Sequence, residues 1–154
     1  MRMLLLMRHG DAVISHPDAA RALSPTGETQ AKKAALKLKT ACPGLCAIWH
    51  SKLERAVRTA DIIAQDLSLE RGALQCRDYL APEGSAQEAC KKIAAYDRDL
   101  LIVSHMPLLG ALPRSLTKFP QAPSSFATGM IMAFERDRYG LWHLLWDFDP
   151  GMQG

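Results

Sequence analysis

Aromatic residues make up only 6% of this 154-residue chain, and no stretch of it holds the ~18 consecutive apolar residues that a membrane span requires. The first shortage leaves no basic surface interleaved with stacking rings, so a nucleic-acid partner is not expected. The second leaves no transmembrane helix, and no membrane partner is expected. The apolar run from Met3 to Met7 is too short for a secretory h-region. It leads into Arg8-His9-Gly10-Asp11 instead of small residues, so it reads as a strand. Charge of one sign is not abundant either: 19 Lys and Arg stand against 16 Asp and Glu, a formal net charge of +3. Lys32, Lys33, Lys37 and Lys39 form the densest basic group, and in a helix they make a solvated face. Cysteine is sparse, at four residues. Cys42-Pro-Gly-Leu-Cys46 lacks a second pair of ligands, and its Pro-Gly reads as a turn, so no metal site is expected. Without a secretion signal, Cys42, Cys46, Cys76 and Cys90 are expected to be reduced and mostly buried, in a protein of the cytoplasm. No repeat, low-complexity segment or shift in composition marks a boundary. The length and the 48% of hydrophobic residues then imply one domain, 1–154, with a sizeable core.

The apolar residues are ordered along the chain. Met3–Met7, Leu45–Trp49 and Leu100–Ser104 read as strands, and Ala73–Cys76 as a short one. Ser24-Pro25 supplies an N-cap and a first-turn proline, and Ala31, Ala34, Ala35 and Leu38 follow at helical spacing, which predicts a helix over 25–41. Leu53, Ala56, Val57, Ala60, Ile63, Ala64 and Leu67 predict an amphipathic helix over 52–67. Further helices are expected at 85–97 and 107–117, then a pair of strands, Met130–Phe134 and Leu141–Phe148, joined by a turn at Asp137–Gly140. The last few residues read as a tail. Strands alternating with helices imply an α/β fold with a mostly parallel sheet covered on both faces. Ligands of such folds bind beyond the carboxyl ends of the strands.

Those ends carry chemistry. The first strand ends in Arg8-His9-Gly10, the second in His50-Ser51 with Arg55 on the helix after it, and the third in Ser104-His105. If the three strands are parallel, two arginines and two histidines share one rim. Such a site suits a dianion, and phosphate is the obvious candidate. Gly10 allows close backbone approach. A neutral His9, one ring nitrogen held by a backbone carbonyl, can attack phosphorus with the other. Nearby cations favour that neutral state. Arginines and His105 would stabilise the equatorial oxygens during transfer to His9 and hydrolysis by water. His16 and His143 lack this setting, and Ser51 and Ser104 read as turn and capping residues, with no G-x-S-x-G elbow around either.

These residues resemble the histidine phosphatase superfamily, also called phosphoglycerate mutase-like, and within it the small SixA-type phosphohistidine phosphatases. The resemblance is carried by LLLMRHGDA (4–12), RALSPTGETQA (21–31), HSKLERAVRTADIIA (50–64) and LLIVSHMPLLG (100–110), in the family's order. It implies a three-layer α/β/α sandwich, no metal and no cofactor. It implies that His9 is the phosphorylated nucleophile, that Arg8 and Arg55 clasp the phosphoryl group, and that His105 completes the pocket. Arg21 matches a SixA-type arginine that faces the phosphate. One departure is Lys52 after Ser51, where the family often has Pro. Arg58, a turn beyond Arg55, competes for the clasp. Arg55 fits the Ser-x-x-x-Arg-Ala register, and Arg58 reads as a surface ion-pair residue.

The substrate depends on the leaving group. An alkoxide needs an acid to protonate it, and the segment where the resemblance implies one, between the second helix and the third strand, offers Glu83 and after it Asp78. An imidazole, whose conjugate acid has a pKa of about 6.5, departs with less help. Three readings follow. The chain is a metal-independent phosphatase acting on a phosphate-bearing substrate, a phosphohistidine protein foremost. It is a small-molecule phosphomonoesterase or mutase on the same scaffold. Or it is a phosphate-binding module without turnover, which trapping of a labelled phosphoenzyme would reveal.

Overall fold

The computed structural model describes residues 2–152, so part of the expected C-terminal tail lies outside the described residues. Its strands are β1 (Met3–Arg8), β2 (Ala47–His50), β3 (Leu74–Cys76), β4 (Leu100–Ser104), β5 (Ile131–Arg136) and β6 (Trp142–Phe148). Its α-helices are α1 (Pro25–Ala41), α2 (Glu54–Asp66), α3 (Ala86–Ala94) and α4 (Leu108–Thr117). The strands form one sheet in the order β3-β2-β4-β1-β5-β6. The first four are parallel, while β5 runs antiparallel to β1 and β6 antiparallel to β5.

Successive strand residues point to opposite faces, and this sheet is apolar on both. Leu4, Leu6, Trp49, Leu100, Ile102, Met132 and Phe134 pack with Ile93 of α3 and Leu109 and Leu112 of α4. Leu5, Met7, Ile48, Leu101, Val103, Ile131 and Ala133 pack with Leu38 of α1 and Ala56, Ala60 and Ile63 of α2. The result is a three-layer α/β/α arrangement, in which full burial of each leucine stabilises by about 1.5–3 kcal/mol. Helix α1 starts where Ser24-Pro25 places it, with the Ser24 Oγ accepting the Gly27 N–H at 3.1 Å. Strand β2 begins two residues later than expected, because Leu45 N–H closes the turn onto the Cys42 carbonyl. Helix α3 ends at Ala94 rather than 97, and α2 starts at Glu54 because residues 51–53 form its entry turn.

The expectation of mostly buried thiols is corrected. All four are unpaired; Cys42 is buried, Cys46 and Cys90 are half-buried, and Cys76 is exposed. Cys76 ends the short edge strand β3, which neither layer covers fully. The lysines of α1 lie toward solvent as expected, with Lys37 placed over the Trp146 ring. No helix among the described residues is long and apolar enough to cross a membrane.

Candidate active site

Three adjacent strands bring the polar strand ends together. Arg8 of β1 pairs with Ser104 of β4, and His50 of β2 pairs with Val103. The next residues, His9, Ser51 and His105, therefore emerge side by side. The rings of His9 and His105 lie 4.9 Å apart between centroids, with planes tilted by 46°. Arg55, in the first turn of α2, is buried beside them.

Hydrogen bonds set the state of each imidazole. His9 Nδ1 lies 2.7 Å from the Gly10 carbonyl. In a neutral ring this nitrogen donates, which leaves the Nε2 lone pair free. Burial first, then the charges of Arg55, Arg8 and Arg21, lower the His9 pKa to about 4 against the opposing pull of the Gly10 bond. His105 Nε2 lies 2.5 Å from the Ser51 Oγ, which itself accepts the Leu53 N–H at 3.3 Å. One proton lies in this short contact, given by the hydroxyl when the ring proton is on Nδ1 and by the ring when it is on Nε2. That Nδ1 is buried and has no partner. Burial first, then His9 and Arg55, lower the His105 pKa to about 3.

The arginines are braced from outside the pocket. Arg8 Nη1 donates to the Phe126 carbonyl at 2.8 Å. Arg55 donates from Nη1 to the Asp18 carbonyl at 3.0 Å and from Nη2 to the Asp18 carboxylate at 3.3 Å. Arg21 donates to the carbonyls of Val13 and Ala12 and, at 3.3 Å, to the other Asp18 carboxylate oxygen. Asp18 thus bridges Arg21 and Arg55. The Nε atoms of Arg8 and Arg55 are buried without partners. Gly10 is held by its N–H, which donates to Thr59 Oγ1 at 3.0 Å, and Thr59 in turn donates to the Arg55 carbonyl. A Cβ on Gly10 would lie 2.7 Å from the Gly27 carbonyl oxygen, so glycine lets the turn approach the start of α1. Neutral imidazole, a lone pair and several cationic donors in one place make a cluster fit for phosphoryl transfer.

The sequence profile of the histidine phosphatase superfamily, branch 1, matches residues 4–91. The chain belongs to this superfamily. Among solved structures, this histidine phosphatase is similar to the protein histidine phosphatase SixA complexed with tungstate, at 25% identity and a TM-score of 0.89 over 97% of both chains. It shares its fold with a protein from Nakamurella multipartitia provisionally assigned as SixA (23% identity, TM-score 0.82, 97% of this chain and 96% of that one). A provisionally assigned SixA from Agrobacterium tumefaciens shares it too (19% identity, TM-score 0.78, 96% and 98%). Comparison with curated proteins yielded no match. The fold is the phosphoglycerate mutase-like one, and the protein is a hydrolase of this superfamily, whose substrates bear phosphate.

In this histidine phosphatase, His9, Arg8, Arg55, His105 and Gly10 come together at the strand ends, and Arg21, which only the resemblance implies, meets Arg55 through Asp18. Glu83 does not join them. It is exposed, has no hydrogen bond or ion pair, and lines an open cleft of about 610 Å³ with Arg77, Asp78, Tyr79 and Lys92, which none of His9, Arg8, Arg55 and His105 borders. Arg58 is a surface residue, paired with Glu28 and Asp61. His143 pairs with Asp137 on an exposed turn, and His16 is exposed. His50 braces the rim through Nδ1, 2.8 Å from the Ser51 carbonyl, and Ser104 donates to the Leu80 carbonyl. No group of three or more His, Cys, Asp or Glu among the described residues is arranged to hold a metal. Sequence reasoning missed Asp18 and Thr59 and undervalued Ser51. Thr59 left a trace, as a polar residue on the apolar face of α2, and Asp18 left none.

Proposed function

We propose that this histidine phosphatase removes the phosphoryl group from phosphohistidine through a phosphoenzyme on His9. The observation that carries this reading is the convergence on one rim of a neutral His9, His105 with its ring 4.9 Å away, half-buried Arg8 and buried Arg55. Guanidinium donors beside a free imidazole lone pair suit the oxygens of a phosphoryl group. Tungstate bound to the similar SixA is a tetrahedral oxyanion and supports an oxyanion here. Arg21 adds positive charge behind the clasp, and the reading gives no step to a metal or cofactor.

In the first step the bond between phosphorus and His9 Nε2 forms as the bond from phosphorus to the substrate ring breaks. The departing nitrogen keeps the electron pair. The Nδ1 proton stays on the ring, donated to the Gly10 carbonyl, so phosphorylated His9 is a cationic ring bearing a dianionic phosphoryl group. In the second step a water oxygen bonds to phosphorus, Nε2 recovers its pair, and dihydrogen phosphate leaves and gives a proton to solvent. Neither step needs a carboxylic acid, so the reading gives Glu83 no role. Cleavage of an alkyl ester would need one.

Wild type and His9→Ala compared on a phosphohistidine peptide, an aryl phosphate and a sugar phosphate test the reading. Wild type is expected to hydrolyse the first two and little of the third, and His9→Ala none. Activity confined to the sugar phosphate would favour the phosphomonoesterase. A folded wild type that leaves no label on His9 after a rapid alkaline quench would favour a binding module.

A further inference from the structure

We propose that Asp18 selects the leaving group: its carboxylate, held across Arg21 and Arg55 at the mouth of the pocket, accepts the ring N–H of a protonated phosphohistidine and disfavours phosphoesters whose leaving group is negatively charged. This rests on the phosphohistidine reading of the site.

A carboxylate on a phosphate clasp needs a reason. Asp18 occupies both terminal nitrogens of Arg55, through its backbone and side-chain oxygens, and one terminal nitrogen of Arg21. It offsets part of their positive charge and competes with phosphoryl oxygens for the same donors. That penalty falls on every phosphate compound alike. It is recovered only by a substrate that brings a cation of its own. The placement fits such a use. The Arg55 side chain is 7% exposed and that of Asp18 65%, so the carboxylate marks the border between pocket and solvent, where the leaving group must lie. The other acid beside Arg8, Asp11, is already engaged at 2.6 Å by the Ser24 hydroxyl. The Arg55 charge also holds the Asp18 carboxyl below the usual carboxylate range, so it is ionised at neutral pH.

A phosphohistidine ring protonated on its free nitrogen is such a cation. Asp18 accepts that N–H while the phosphorus–nitrogen bond breaks. The electron pair stays on the departing nitrogen, the proton stays on the other, and a neutral imidazole leaves. Asp18 therefore favours the ring form that departs most readily. An alkoxide, a phenolate or a carboxylate-bearing leaving group places negative charge against it instead.

The test uses phosphoimidazole and p-nitrophenyl phosphate with wild type, Asp18→Asn and His9→Ala. Asp18→Asn keeps the backbone carbonyl and one side-chain acceptor for Arg55, removes the charge, and replaces the oxygen that Arg21 meets with a donor. The ratio of kcat/KM on phosphoimidazole to that on p-nitrophenyl phosphate should fall about tenfold, as for loss of a charge-assisted hydrogen bond. Inorganic phosphate should inhibit Asp18→Asn at lower concentration than wild type, since the competing carboxylate is gone. A ratio that does not move overturns the proposal. So does parallel loss on both substrates with weaker phosphate inhibition, the signature of a residue that only props Arg55. His9→Ala, silent on both, ties the rates to this pocket. A wild type that cleaves the aryl ester and not the phosphoramidate would refute the phosphohistidine reading and this proposal with it.

Discussion

The Ser51 hydroxyl lies 2.5 Å from Nε2 of His105, and both residues are buried. Leu53 N–H donates to the same oxygen, so the hydroxyl ties the His105 ring to the entry turn of α2. Ser51→Ala leaves Nε2 buried without a partner and frees the ring to turn. A buried polar group left unpaired costs about 1–3 kcal/mol. We expect kcat/KM to fall about tenfold while His9 is still phosphorylated, measured by steady-state kinetics beside phosphoenzyme trapping. A variant as fast as wild type would show that the hydrogen bond between Ser51 and His105 has no part in catalysis.

Thr59 is a second buried support. It accepts the Gly10 N–H and donates to the Arg55 carbonyl, so it ties the turn that orients His9 to the helix that carries Arg55. Thr59→Val keeps the shape and leaves Gly10 N–H without an acceptor. We expect a loss of about 1–3 kcal/mol in unfolding free energy by urea titration, with kcat falling as well. Thr59→Ser restores the hydroxyl and should recover most of both. Failure of serine to rescue would mean that the methyl group, not the hydrogen bond, matters there.

How much of this was legible in the sequence follows from the range of each interaction. Strands β1 and β4 are continuous apolar runs because they are covered on both faces, and Ser24-Pro25 marks the start of α1 by local chemistry. The site was legible where function sits immediately after a strand, at His9 and His105, or in the first turn of the following helix, at Arg55. Asp18 was not, because nothing near position 18 reveals a bond to a residue 37 positions away. Ser51 reads as an ordinary turn residue until β4 brings His105 against it. Glu83 was placed by its position between α2 and β4, but that position did not say which way the segment would face.

Arg55 and Arg58 are one helical turn apart and should behave oppositely. Arg55→Ala removes a buried donor beside His9 and is expected to lower kcat/KM by ~100-fold or more, the scale seen when one preorganised electrostatic donor is lost. Arg58, half-exposed, joins α1 to α2 through Glu28 at 3.3 Å and also meets Asp61 at 3.0 Å. Exposed pairs of this kind contribute about 0.2–1 kcal/mol. Arg58→Ala should therefore shift the urea midpoint slightly, less so at high salt, and leave the turnover rate in place. A catalytic defect in Arg58→Ala comparable to that of Arg55→Ala would reassign the clasp.

The thiols should separate by reactivity. Burial and then the charge of Asp99 push the Cys42 thiol up to about 12, and its sulfur donates to the Asp99 carboxylate at 3.7 Å. Thiolate is the reactive species, so Cys42 should resist alkylation of the native protein at pH 8. Cys76, exposed at the end of β3, should be labelled first. Timed iodoacetamide labelling followed by peptide mass mapping distinguishes the two, and rapid modification of Cys42 would contradict the burial of that turn.

The pH dependence of rate and stability shares one cause. His9 and His105 have pKa values of about 4 and about 3, both below the ordinary value near 6.5. For kcat/KM, which reports the free enzyme, the attacking Nε2 keeps its lone pair down to the lowered value. The acid limb, corrected for titration of the substrate, should lie near pH 4 and not near 6.5. Stability moves the other way at milder pH. Between about 6.5 and the lowered values the unfolded chain binds protons that the native rings refuse, so unfolding becomes easier as pH falls. Their stabilisation is present in full above 6.5 and is lost as the pH falls toward 4 and then 3. Urea midpoints at pH 7.5 and pH 5 should therefore differ more in wild type than in His105→Gln, which lacks one of the two titrating rings. An acid limb centred near 6.5 would mean that His9 titrates as an ordinary exposed imidazole, and the case for a neutral nucleophile held among arginines would fail.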